Sequence, residues 1–399
     1  MNDTGVNRYY SAEFENLRRE VEQAIGSSGS EYVFVDSFCG AGGMSVGLKQ
    51  AGFAQGLAFD IDGPAIATHQ KNVHGKAYVA DVREITGSRL CSELKIGKRE
   101  LDLFAGGPPC QGFSKQKRGA HLGDQRNDLV VEYIRLVDEL SPRFFLFENV
   151  AIFGQKRGKQ YVARMHEELT EYEILPEFVN SACFGLPQTR ERYLIVGRRR
   201  DVDVSFGFPK NIVTKNLTVG NALNGLPEPP ADYTVHPKYP NHQNARVTEL
   251  NIERFSHVQE GGGWRDIPEE MRLPCHQRVD SSKGGWPDVY GRLEWDGQCP
   301  TITGGFDSFT RGRYGHPKKD RPLTPREAAR IQGFDDGFAF IGTRGDVRKQ
   351  IGNAVPPPVA YAVGTNILRS LLVADGVLKE NAPKLTFCEE LGAYETGRG

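Results

Sequence analysis

Short apolar strands alternating with helices over the first two hundred residues leave this chain few folds to adopt. Residues 32–35 are a run of aromatic and β-branched side chains, followed by a glycine-rich turn and then a helical pattern over 44–51. Further strands are expected at 56–59, 77–79, 101–104, 144–147 and 193–196, with helices at 129–140 and 160–171 between them. Runs this short and this rich in strand formers read as buried strands rather than helices. Their alternation with helices predicts an α/β fold with a doubly wound sheet, which binds ligands beyond the carboxyl ends of its strands.

The pattern changes after about residue 200. Residues 201–320 carry 14 Lys+Arg against 16 Asp+Glu, all three tryptophans and 11 of the 23 prolines, with no sustained period. Such punctuation suits a second, smaller, loop-rich domain. Helix signals return from Leu323: Thr324 can cap a helix that starts at Pro325, with Glu327 completing a capping box. The expected division is therefore 1–200, a second domain over 201–320, a return to the first over 321–380, and a weakly ordered tail over 381–399. A loosely helical stretch over 8–25 precedes the first strand.

Bulk properties exclude some classes. No run approaches the roughly 18 apolar residues of a membrane helix, and the polar N-terminus is no secretory signal. A cytoplasmic, non-membrane protein is expected. The seven cysteines are widely spaced without a C-x-x-C pair, which argues against a disulfide scaffold or a zinc site, so no metal is expected. The net charge of -1 does not announce a nucleic-acid binder, yet a cleft needs only a local basic face.

Four groups of residues carry chemistry. Asp36-Ser37-Phe38-Cys39-Gly40-Ala41-Gly42-Gly43 joins the first strand to a helix, and its glycines let the backbone approach a ligand. Asp60 ends the next strand, where a carboxylate can hold ribose hydroxyls, and Asp81 follows the third. This spells a nucleoside-containing cofactor: NAD, FAD and S-adenosylmethionine all fit. Gly107-Pro108-Pro109-Cys110-Gln111 follows the fourth strand, and its two prolines fix where the Cys110 sulfur points. Glu148 ends the apolar strand beginning at Phe144, in surroundings that favour a protonated carboxyl, unless it simply bonds a neighbouring loop. Arg190 and Arg192 share one strand face by alternation, poised for carbonyl or phosphate oxygens or, more plainly, for a salt bridge at the sheet edge.

In this order the residues resemble the DNA (cytosine-5)-methyltransferase family, and the compact bacterial restriction-modification enzymes in particular. The blocks are the turn at Asp36, Pro108-Pro109-Cys110-Gln111, Glu148-Asn149-Val150, and Gln188 with Arg190 and Arg192. Two more are the stretch from Arg321 to Gln332-Gly333-Phe334, and Gln350-Ile351-Gly352-Asn353-Ala354-Val355-Pro356; together they span about 32 to 368. The resemblance implies a Rossmann-like catalytic domain, with residues 201–320 as a target-recognition domain. It also implies S-adenosylmethionine as methyl donor, leaving as S-adenosylhomocysteine. By position, Phe38, Gly40 and Gly42 would wrap its methionine and ribose. Asp60 would hold the ribose, Ile61 the adenine face, and Asp81 with Val82 the adenine edge; Pro109, Leu129 and Asn353 would complete the pocket.

The implied reaction runs through Cys110 adding to C6 of a cytosine, with Glu148 protonating at N3 and Arg192, aided by Arg190, bonding O2. The base must leave the duplex stack to be reached. The implied partner is double-stranded DNA, contacted by Gln111, Ser114, Lys117, Arg118 and Arg126 of a lid-like loop and by Thr301, Arg311 and Arg313 of the recognition segment, where Lys318, Lys319 and Arg321 also cluster. The enzyme would act as a monomer, with a cognate restriction endonuclease working separately. Three alternatives compete: the same chemistry on transfer RNA, a DNA-binding scaffold without activity, and an NAD-dependent enzyme with no use for Cys110.

Overall fold

The computed structural model describes residues 9–109, 128–277 and 288–380. Among the described residues, nine strands form in chain order: β1 (Val33–Ser37), β2 (Ala54–Asp60), β3 (Ala77–Val79), β4 (Leu103–Gly106), β5 (Phe144–Val150), β6 (Tyr172–Asn180), β7 (Gln188–Thr189), β8 (Glu191–Arg199) and β9 (Cys299–Pro300). Seven of them make one sheet in the order β3-β2-β1-β4-β5-β8-β6. The first five are parallel, and β8 runs antiparallel to both of its neighbours. The remaining pair, β7 and β9, lies side by side in parallel.

The period of two along the central strands sorts side chains onto two faces. Phe34, Leu103, Phe144, Leu146, Leu194 and Val196 enter one apolar layer, with helices Ala12–Ser28, Gly43–Ala51 and Pro357–Ala374. Val35, Phe104, Phe145, Phe147 and Ile195 enter the other, with helices Gly87–Leu94, Asp128–Leu140 and Lys159–Glu168. A parallel sheet covered on both faces needs strands that are apolar throughout, which is what the sequence shows. The expected doubly wound α/β architecture is therefore present. Helix Gly43–Ala51 crosses Pro357–Ala374 backbone to backbone, because a side chain at Gly47 would lie 2.6 Å from both Ala360 Cβ and Tyr361 N.

Strand β6 was not expected from the sequence. It contains Pro176, which lacks an N–H and is tolerated at a sheet edge, and β6 is the outermost strand. The capping box at Thr324 forms as expected, with Pro325 opening helix Pro325–Ile331.

The segment after β8 is sparse in regular structure. Val202, Val204, Ile212 and Val213 pack into the first apolar layer. A small core of Phe255, Val258, Trp264, Ile267, Tyr290 and Phe309 is built from within the segment. Its returning end, with Leu293, Cys299, Ile302, Phe306 and Tyr314, shares a third core with Leu323, Ala328 and Ile351. The expected tail, 381–399, lies outside the described residues.

Candidate active site

Parallel strands deliver their carboxyl ends to one edge of a sheet, and the reversed β8 delivers its start to that same edge. The order changes direction between β1 and β4, the switch point where such sheets bind ligands. Around it stand the turn after β1, Asp60 at the end of β2, Gly107-Pro108-Pro109 after β4, Glu148 near the end of β5, and Arg192 near the start of β8.

The turn reverses tightly, with φ of 56° at Phe38, 52° at Gly40 and 97° at Gly42. Left-handed backbone suits glycine and strains a phenylalanine by an amount of order 1 kcal/mol or more. Asp60 secures the turn: one carboxylate oxygen accepts from Gly40 N–H at 2.9 Å and the other from Asp62 N–H at 2.9 Å. Burial raises the Asp60 pKa, while those backbone donors oppose the rise. Next to it Ile61 is 66% exposed, a large apolar side chain with nothing over it. Asp81 caps the short turn Val82–Glu84 and pairs with Arg83, which holds its carboxyl below the usual range. Val82 is buried, and Leu129 packs half-buried on the second layer. Asn353, at the end of helix Arg344–Asn353, is exposed. That segment touches the turn, since a side chain at Gly43 would strike the Val355 carbonyl.

A buried relay lies beneath the turn, and the sequence reading gave it no role. Ser45 Oγ donates to Asp36 at 2.6 Å and sits 3.1 Å from His69 Nε2. All three side chains are buried. Burial lifts the Asp36 pKa to about 7 and lowers that of His69 to about 4.

Glu148 and Arg192 form an ion pair, Nε to Oε1 at 2.8 Å, with only 12% and 13% of the side chains exposed. Glu148 therefore has a cation against it, and the apolar setting read from the strand is only half of its environment. Its other oxygen overlooks Gly107, where an added Cβ would meet Oε2 at 3.1 Å. Asn149 donates from Nδ2 to the Pro108 carbonyl at 3.1 Å, so the strand that carries Glu148 also holds the two-proline loop. Pro109 is half-buried. Cys110, Gln111, Ser114, Lys117, Arg118 and Arg126 lie outside the described residues.

Arg190 falls between β7 and β8, where the ladder breaks, so strict alternation does not run through it. Its guanidinium is 1% exposed and donates to the carbonyls of Ile302 (3.0 Å), Gly352 (3.0 Å) and Ala354 (3.1 Å). Burial pulls the pKa of both arginines down; Arg192 adds to this at Arg190, and Glu148 opposes it at both. Two buried glutamines brace the same junction. Gln188 donates to Gln332 at 2.9 Å and accepts from Ile302 N–H at 2.7 Å, and Gln332 donates to the Ile351 carbonyl at 2.6 Å. The motif spacing contained both glutamines, but Gln188 meets Ile302 and Gln332 more than 100 residues away, a pairing that could not be read from it.

The basic residues between 301 and 321 separate into two kinds. Arg313 donates to the carbonyls of Gly261, Gly262 and Arg292 and pairs with Asp288. Lys318 lies 3.8 Å from the Trp295 ring centre, Lys319 pairs with Glu228, and Arg321 pairs with the buried Glu327. Arg311 is exposed. Thr301 donates from Oγ1 to the Thr189 carbonyl at 3.1 Å. No helix among the described residues is long and apolar enough to cross a membrane, and no cluster of metal-binding side chains occurs among them.

The family model of C-5 cytosine-specific DNA methylases matches residues 32–369. The type II methyltransferase M.PspPI of Psychrobacter sp. (strain TA137) is 35% identical over 370 residues, covering 92% of this chain and 85% of that protein. M.XorII of Xanthomonas oryzae pv. oryzae is 33% identical over 362 residues, covering 84% of each. Among solved structures, a putative DNA modification methyltransferase encoded within an Escherichia coli prophage matches at 27% identity with a TM-score of 0.68, covering 86% of this chain and 99% of that one. The Entamoeba histolytica methyltransferase EhMeth, at 17% identity and a TM-score of 0.60, shares the fold. The chain therefore belongs to the C-5 cytosine-specific DNA methylases and is a DNA cytosine methyltransferase.

Proposed function

We propose that the protein methylates C5 of a cytosine turned out of double-stranded DNA, with S-adenosylmethionine as donor and a transient covalent bond from Cys110 to C6. The observation that carries this reading is the Glu148–Arg192 pair. It is set against Gly107, three residues before Cys110 in the sequence, and on this reading a base held by the pair is presented to that thiol.

The residues of the turn fit the donor. Asp60, held by two backbone N–H groups, would accept from ribose hydroxyls, and the bare face of Ile61 would lie against adenine. Asp81 would take the adenine amino group by sharing its carboxyl with Arg83. Phe38, Gly40, Gly42, Val82, Pro109, Leu129 and Asn353 would line the rest. When bound, S-adenosylmethionine supplies the methyl group and leaves as S-adenosylhomocysteine.

The chain's own side chains supply activation. C5 of cytosine is a weak nucleophile until a thiolate adds at C6 and converts the ring to an enamine. As the base enters, Glu148 would take up a proton, part from Arg192 and donate to N3, and Arg192 would turn to donate to O2, drawing electrons from C6 as the Cys110 sulfur attacks. Once C5 carries the methyl group, loss of its proton to water expels the thiolate, the N3 proton returns to Glu148, and the aromatic ring is restored. Arg190 acts as a positioning residue, fixing the strand start that carries Arg192. Turning the base out costs a few kcal/mol, which contacts to the surrounding DNA must offset.

Incubation with labelled S-adenosylmethionine and either duplex DNA or transfer RNA tests the substrate; label in RNA alone overturns the reading. Duplex containing 5-fluorocytosine should trap the protein covalently, and C110A should abolish trapping. Binding without trapping would support a scaffold instead. We assign the protein as the methylating half of a restriction-modification system, acting as a monomer in the bacterial cytoplasm, where deep sequencing of methylated cytosines in an expressing host would reveal its site.

A further inference from the structure

Residues 301–307 form a strap that starts at the candidate base site and runs along helix Arg344–Asn353. Thr301 is bonded to Thr189, the Ile302 carbonyl to Arg190, and Gly304 lies against the Arg348 backbone. At the far end the buried carboxylate of Asp307 takes two arginines at once: Arg344 Nε at 2.6 Å and Arg348 Nη1 at 3.2 Å. Those two residues are one turn apart on one helix face, about 6 Å along the axis. Arg311 lies beside the same strap, its stem against Gly305, where an added Cβ would meet the Arg311 Cβ at 2.7 Å.

The charge here is unbalanced. Two guanidiniums face one carboxylate, and the other acid on that turn, Asp346, is spent capping the helix through Thr343. Arg344 gives one further N–H to the Asn244 carbonyl. Arg344 Nη2 and Arg348 Nε are buried without a hydrogen-bond partner among the described residues, so it is the remaining exposed N–H groups that face outward. Both side chains nevertheless keep about a third of their surface open, 31% and 32%, and Arg311 is exposed with no side-chain partner among the described residues. Asp307 thus fixes two guanidiniums without neutralising them. Arg313, Lys318, Lys319 and Arg321, by contrast, are all taken up by internal partners.

We propose that Arg311, Arg344 and Arg348 form a binding site for the backbone phosphates of the DNA strand that carries the target cytosine, with Asp307 holding the two helix arginines in place. The proposal rests on the duplex-DNA reading above. From Gly352, whose carbonyl meets Arg190, to Arg344 is eight helical residues, about 12 Å, and a DNA strand presents a phosphate about every 3.4 Å of axis. Arg344 and Arg348 therefore lie within a few nucleotides of a base held by Glu148 and Arg192, and Arg311 lies beside the strap that joins them to it. Contacts of this kind are blind to sequence and set position and register.

The test is anisotropy of a fluorescent 30-base-pair duplex of mixed sequence, titrated with the full chain between about 50 and 200 mM salt. Each phosphate contact contributes about 0.9 to the slope of log affinity against log salt. The double variant R344Q/R348Q should lose one to two units of slope, so that raising the salt fourfold weakens wild type up to about tenfold more than the variant. R344K/R348K should restore the slope. A folded double variant with the wild-type slope overturns the site. Should the double variant not fold, R311Q replaces it: a slope lower by about 0.9 supports the proposal, and an unchanged slope overturns it. Wild type that fails to bind duplex at all would sink the DNA reading itself, whereas normal binding with unmoved slopes sinks only the phosphate site.

Discussion

Replacing Arg190 by glutamine strips a donor from three buried carbonyls, those of Ile302, Gly352 and Ala354. Glutamine can reach one of them at most. A carbonyl buried without a partner costs about 1–3 kcal/mol, and a hydrogen bond from a charged donor contributes about 1.5–3 kcal/mol. The variant is also spared the burial of a cation, which the lowered Arg190 pKa shows to be unfavourable, so the lower end of the range applies. The expected loss is roughly 3 kcal/mol. With an unfolding entropy of about 2.1 cal/mol/K per residue over 399 residues, that is a fall in Tm of about 4 °C. The assay pairs a melting curve with steady-state methyl transfer, and R192Q serves as the comparison. R192Q should lower kcat by about 10²–10³, as loss of a single oxyanion donor does, while moving Tm less. If R190Q melts with wild type and loses turnover as R192Q does, Arg190 touches the base and its role as a clamp is wrong.

Gly47→Val should destabilise by the upper end of the roughly 1–3 kcal/mol typical of overpacking, because its neighbours are Ala360 Cβ and backbone rather than a flexible side chain; a urea midpoint equal to wild type would show that the two helices can part. Asp36 holds a proton in the fold that the unfolded chain releases near its ordinary value of 3.8, so its stabilising contribution is complete below that pH and is lost as pH rises through about 7. Asp36→Asn should flatten that part of the stability profile, and a slope identical to wild type between pH 4 and 7 would contradict the assignment. Arg313→Gln should lower Tm and leave the salt dependence of DNA binding unchanged; a reduced slope would make Arg313 a DNA contact after all. Glu148→Gln should retain DNA binding and lower kcat by at least about 10², read by single-turnover methylation.

The sheet was legible because its strands are apolar on both faces and short, a pattern that little else produces. Helix Asp128–Leu140 and the capped helix at Pro325 were legible for similarly local reasons. Strand β6 escaped notice since Pro176 breaks its pattern, and only its place at the edge makes the proline tolerable. Glu148 and Arg192 were found as separate residues; that they neutralise each other depends on the pairing of β5 with β8 across Val150 and Arg192, which no local spacing encodes. Arg311 and Arg313 look alike in the sequence, two residues apart in one basic run. One is exposed and the other is bound to three carbonyls, two of them about fifty residues upstream, so tertiary packing alone tells them apart.

The reversed direction of β8 also bears on how such an enzyme can diversify. Arg192 sits at the start of that strand, so the chain leaves for residues 201–320 from the opposite end of the sheet, at Arg199. Within that stretch the part around Phe255, Trp264 and Tyr290 closes a core of its own, so changes there leave Glu148 and the turn at Gly40 untouched, whereas Val219, Leu223 and Leu293 share a core with Ala41 and Ile351. With residues 201–320 as the target-recognition domain that the family resemblance implies, reaction and address are separable units of inheritance: recombination confined to the self-contained core would change the target sequence while the catalytic apparatus passes on unaltered.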